Sequence, residues 1–141
     1  MRANYDFSTA VKNPYLKPII VSVKLENVRD VSKTFVCEAV VDTSTSPMIL
    51  PAAWKDELGD LDSTRIIEFE TDTQGKLIAE VCGPVRIQIE GFRPIFNEVA
   101  FVEMKPADGD YEPLIGSIIL EQSQAAVDML RHRLFPSNTW I

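Results

Sequence analysis

Short apolar–polar alternations, each closed by a turn signal, constrain this chain more than any other feature. Ile19, Val21, Val23 and Leu25 share one face of an extended segment, and Ser22 and Lys24 share the other. After a turn at residues 26–30, Phe35, Cys37, Ala39 and Val41 again fall on one face. Ile67 and Phe69 alternate with Glu68 and Glu70, and after Asp72-Thr73-Gln74-Gly75-Lys76 the alternation resumes through Leu77, Ala79 and Val81. That pattern predicts a hairpin over 64–82, with Gly75 supplying the positive φ of its turn. Gly83-Pro84 breaks the pattern, and Val85 to Glu90 forms a further alternating run. Ile95 to Met104 reads as another strand, with Val99 and Phe101 on one face and Ala100 and Val102 on the other. About seven short strands separated by turns indicate a closed or sandwiched all-β domain.

Helix signals are few. Pro51 to Gly59 reads as a short helix, with proline at the first position, glycine past the end, and Trp54 and Leu58 one turn apart on the core side. From Ile118 to Leu134 the apolar residues lie close to helical spacing, and periodicity alone draws one long helix there. Residues 1–17 are polar and aromatic without a period. They read as an extended arm before a single domain spanning 18–141, the size expected for one folding unit.

Charge narrows the partners. Fourteen basic and 21 acidic residues give a net charge of −7, which argues against a phosphate backbone or an anionic membrane surface. No apolar run reaches the length of a membrane span, and the first residues lack the apolar core of a signal peptide, so a cytoplasmic location is expected. Cys37 and Cys82 are the only cysteines; both fall in strand patterns and read as reduced core residues. No cofactor or metal is expected, since there is no His or Cys cluster and no phosphate-binding glycine loop. A hydrolase built from either cysteine and His132 is disfavoured. Neither cysteine sits at a loop or helix start, and His132, between two arginines, reads as a solvated residue.

One stretch carries candidate chemistry. The run Ala39-Val40-Val41 ends in Asp42-Thr43-Ser44-Thr45-Ser46, and Pro47-Met48-Ile49-Leu50 follows. This reads as a buried strand, a tight polar loop and a return strand, with a partly desolvated carboxylate at the edge of the core. Far downstream stands Glu112-Pro113-Leu114-Ile115-Gly116. Together these elements resemble the active-site loop and the supporting Leu-Ile-Gly segment of the retropepsin-like (clan AA) aspartic proteases. The closest likeness is to the small single-domain bacterial type. The resemblance covers roughly residues 19–136, with Val127-Asp128 and Arg133-Leu134-Phe135-Pro136 matching the closing segment. Ser44 departs from the family's usual glycine.

The resemblance implies a retropepsin-like closed barrel or sandwich with a flap hairpin and one or two short helices. It implies a short helix near 117–123, a strand at 126–128 and a last strand at 134–135, rather than one long helix. It implies that Asp42 is the catalytic acid/base and that Thr43, Ser44 and Thr45 form the active-site loop. Thr73, Gln74, Gly75 and Lys76 would form the flap tip, and Leu114, Ile115 and Gly116 would support the loop. Peptide hydrolysis by carboxylates needs two of them, and the chain offers one such loop. A homodimer would supply the second from an identical copy, acting on an extended peptide. Asp42 also has a plainer use, as an Asx-turn carboxylate holding its own loop. A catalytically quiet dimerisation or peptide-binding module, or a small β-barrel holding a small ligand, are the other readings. The C-terminal Trp140-Ile141 is expected to dock, since large apolar residues suit a free tail poorly.

Overall fold

The computed structural model describes residues 17–71, 75–106 and 108–137. Thr73 and Gln74 of the expected flap tip, Trp140-Ile141 and nearly all of the N-terminal arm lie outside these residues. Among the described residues nine strands form: β1 (Ile20–Asn27), β2 (Asp30–Val41), β3 (Met48–Pro51), β4 (Asp62–Thr71), β5 (Gly75–Ile89), β6 (Ile95–Val102), β7 (Leu114–Ile115), β8 (Ala125–Asp128) and β9 (Arg133–Pro136). A 3-10 helix covers Ala52–Leu58 and one α-helix, α1, covers Ser117–Ser123.

Seven strands form one mixed sheet in the order β1-β2-β7-β3-β6-β5-β4, and β1 also pairs with β5. That extra pairing closes the sheet on itself and removes most free edges. The closure depends on the length of β5. Its first half pairs with β4, from Thr71↔Gly75 to Asp62↔Gly83, and its second half pairs with β1, from Asn27↔Val85 to Val23↔Ile89. Gly83-Pro84 was expected to end a strand. Instead β5 runs through it and changes partner there, with a register shift against β6 between Cys82 and Val85. Proline lacks the donor that a regular ladder needs, and a bulge is where a sheet tolerates it.

The predicted faces hold. Val23 and Leu25 are fully buried, as are Leu50, Leu58, Ile87, Ile89 and Ile115. Burying each large aliphatic side chain stabilises the fold by about 1.5–3 kcal/mol. From Val99 to Val102, strand β6 is buried on both faces. Val99 and Phe101 join the main core, while Ala100 and Val102 join a second apolar cluster with Ile49, Ala79 and Val81. Ile67, Phe69, Leu77, Met104 and Leu114 pack against this second cluster. The expected helix at Pro51–Gly59 is a 3-10 helix, and Pro51 is the last residue of β3 rather than the first of the helix. Gly59 ends it with φ +68, a conformation that favours glycine.

The C-terminal ambiguity resolves as a helix followed by a hairpin. Gln124 takes φ 57 and its amide returns to the Glu121 and Leu120 carbonyls, which stops α1. Strands β8 and β9 then pair, from Ala125↔Pro136 to Asp128↔Arg133. No glycine or proline announces that stop, so periodicity alone runs past it. Among the described residues no helix is long and apolar enough to cross a membrane.

Asn27 ties the end of β1 to the 3-10 helix. Its amide donates to the Leu58 and Asp60 carbonyls at 2.7 and 2.8 Å, and its side-chain oxygen accepts from the Arg29 amide at 2.8 Å. The residue is 1% exposed. Asn27→Ala leaves the buried Leu58 carbonyl without this partner, along with the partly buried Asp60 carbonyl and Arg29 amide, and a destabilisation of about 1–3 kcal/mol is expected. Equilibrium denaturation in urea measures it directly.

Candidate active-site loop

The local ladder around Asp42 is built by two residues of β7. Leu114 and Ile115 pair parallel with Val40 and Val41 on one side and antiparallel with Ile49 and Met48 on the other. Strands β2 and β3 thus flank β7, and the loop joining them must cross its end. The crossing is fixed by backbone bonds. The Asp42 amide donates to Ile115 O at 2.9 Å, Ser117 N to Thr45 O at 2.8 Å, and Ile118 N to Ser46 O at 3.1 Å. The last two bonds satisfy amides of the first turn of α1 that have no partner within the helix.

Gly116 lies under the crossing. A Cβ there would overlap the backbone carbonyl of Ser46 and the oxygen of Pro47. Its φ is −88°, so glycine is required by space and not by backbone conformation. The expected supporting residues Leu114, Ile115 and Gly116 therefore do pass beneath the loop.

Within the loop, both donors of Ser44 converge on one oxygen of Asp42. Ser44 N lies 2.9 Å and Ser44 Oγ 2.5 Å from Asp42 Oδ1. Thr45 closes the turn on the Asp42 carbonyl, through its amide at 3.2 Å and its hydroxyl at 3.0 Å. This is an Asx turn, the plainer use of an aspartate, with a side-chain hydroxyl added to it. Among the described residues nothing donates to Asp42 Oδ2. Asp42 is partly buried, and Thr43 and Ser44 are exposed. Ser44 is not among the residues with positive φ, so this loop can carry a side chain where a glycine was expected.

The β4–β5 hairpin is in place, with an unbroken register from Arg65↔Val81 to Thr71↔Gly75. Gly75 has φ +74, as its turn role predicts, and Lys76 pairs with Glu68 at 3.1 Å. The inner face of this hairpin (Ile67, Phe69, Leu77) reaches the same apolar cluster as Leu114, which lies beside Val40. The hairpin and the Asp42 loop are thus anchored on one apolar floor. The apolar character of Val99 to Val102 on both faces is legible in the sequence, but the local pattern does not link it to the site. The signal was there, since a strand apolar on both faces needs two cores.

The other titratable candidates stay apart from this loop. Burial pushes the Cys37 thiol up to about 12, so it is a poor nucleophile at neutral pH. Cys82 is fully buried in β5, with burial again raising its pKa. His132 is exposed as expected, though not merely solvated, because its Nε2 lies 2.9 Å from the Pro18 carbonyl.

No known family model matches the chain, and no curated protein matches it.

Proposed function

We propose that the chain is a retropepsin-like aspartic endopeptidase that works as a homodimer. The carrying observation is the Asp42 loop. It is clamped across the β7–Gly116 junction, one carboxyl oxygen is anchored by its own turn, and the other has no donor among the described residues. A rigid loop that presents a carboxyl oxygen is what acid/base catalysis needs.

In this reading a two-fold axis brings Asp42 and the partner's Asp42 together. Two carboxylates at contact distance cannot both stay ionised, so the pair holds one proton. The ionised member takes a proton from water, and that water attacks the peptide carbonyl. The protonated member gives its proton to the carbonyl oxygen as the tetrahedral intermediate forms. Proton return to the amide nitrogen then releases the two fragments. The β4–β5 hairpin serves as the flap that covers an extended substrate and excludes water. Exposed Thr43 suits a contact across the axis. The β8–β9 hairpin leaves Met129 70% and Leu130 98% exposed, an apolar surface that a second copy would cover.

The reading implies work at mildly acidic pH, and the fold is suited to it. Asp30 is held below the usual carboxylate range by Ser32, Asp62 by Arg29, Glu80 by Lys55, and Glu98 by Thr64 and Arg65. Such groups contribute stability that is present above their unfolded values and lost as pH falls through the lowered folded ones. The weakening therefore begins below roughly pH 4, under the range where the enzyme would act.

The Asx turn favours one second reading, a catalytically quiet dimerisation or peptide-binding module of the same fold. Sedimentation at tens of micromolar tests what the two readings share. A dimer is expected, and a protein that stays monomeric at that concentration has no second Asp42 and cannot work as proposed.

A further inference from the structure

We infer that Ser44 is a positioning residue for this reaction, an inference that rests on the aspartic-peptidase reading above. The hydroxyl does what the loop backbone alone cannot. The Ser44 amide already donates to Asp42 Oδ1, and a single bond leaves the carboxyl free to rock about it. The hydroxyl adds a second donor to the same oxygen, at 2.5 Å against 2.9 Å for the amide. Two donors from one residue on one oxygen fix the plane of the carboxyl as well as its position. Bonds of this kind to a carboxylate are among the strong ones. The two oxygens of Asp42 are thereby divided between tasks, with Oδ1 held by the loop and Oδ2 left to face the water and the partner's Asp42.

The glycine usual at this position in the resembled family implies that a side chain at 44 takes up room in the groove, so that Ser44→Gly would raise cleavage or leave it near wild type. The geometry reverses that expectation. Ser44 is exposed, its φ is not positive, and its hydroxyl turns back onto Asp42 rather than outward. Ser44→Gly therefore gains little space and loses a bond that orients the acid.

The test uses the full chain and an internally quenched peptide selected by digesting a random-peptide library with the wild-type protein. Ser44→Ala and Ser44→Gly are expected to lower kcat about tenfold with KM within about twofold, as loss of one hydrogen bond to a charged group predicts. Ser44→Thr keeps the hydroxyl and is expected to recover kcat to within about threefold of wild type. A merely structural serine would not give that split or that rescue. Asp42→Asn is assayed beside them. If Asp42→Asn is dead while Ser44→Ala and Ser44→Gly match wild type, Ser44 is passive and this inference fails while the peptidase reading stands. If Ser44→Thr falls as far as Ser44→Ala, the hydroxyl is not the operative group and the inference fails in the same way. If the wild type cleaves nothing in the library, or Asp42→Asn cleaves as well as wild type, the reading itself fails and this inference falls with it.

Discussion

Asp42→Asn is expected to abolish peptide cleavage while leaving the fold and the dimer intact. Asparagine has the size of aspartate, and its amide oxygen can still accept from Ser44 N and Ser44 Oγ, so the turn at 42–45 keeps its bonds. The amide cannot take a proton from water and cannot share one with its mate. Positioned acid/base groups contribute about 100- to 10,000-fold, and both copies are altered at once, so the loss should lie at the upper end. Peptide cleavage at mildly acidic pH, with circular dichroism and sedimentation on the same sample, measures all three properties. A variant that is folded, dimeric and as active as wild type would remove Asp42 from the chemistry.

Gly116→Ala is expected to damage the protein far more than its single methyl suggests. The new Cβ would overlap backbone atoms of Ser46 and Pro47. Backbone cannot rotate away as a side chain can, so the loop crossing or β7 must shift. Overpacking typically costs about 1–3 kcal/mol, and a clash against backbone belongs at the top of that range. For a domain of this size that is a melting temperature lower by about 10 °C. The same shift displaces Asp42, whose amide bonds Ile115 O one residue before Gly116, and cleavage should fall about 100-fold. Gly109→Ala is the control. Gly109 has φ +84 but nothing within 4 Å of an added Cβ, so only the conformational penalty applies, about 1–2 kcal/mol with cleavage preserved. Thermal melts of the two variants separate crowding from backbone strain.

Much of this architecture was legible because strands with one buried face must alternate. Val23 and Leu25, and Ile87 and Ile89, announce their inward face in the sequence itself, and the structure buries all four. Less legible was anything that depends on partners distant in the chain. Strand β7 is two residues long and has no period to read, yet it holds the whole Asp42 crossing. Gly83-Pro84 looked like a break because local chemistry cannot reveal that β5 exchanges β4 for β1 at that point. The end of α1 at Gln124 is left-handed without glycine, so no residue type marked it. The Ser44–Asp42 bond was legible as a possibility, since hydroxyls two residues beyond an aspartate are within its reach. Which of several uses that hydroxyl would take needed the folded loop. The proposed meeting of two Asp42 residues has no signature within one chain beyond the presence of a single such loop.

The most direct test is therefore a distance, measured in a crystal structure of the dimer grown at mildly acidic pH. The closest carboxyl oxygens of Asp42 and the partner's Asp42 are expected about 2.5–3.0 Å apart across a two-fold axis, a hydrogen bond with one shared proton. A dimer that forms through another face, leaving the two Asp42 carboxyls too far apart for even one water to bridge, would contradict the account.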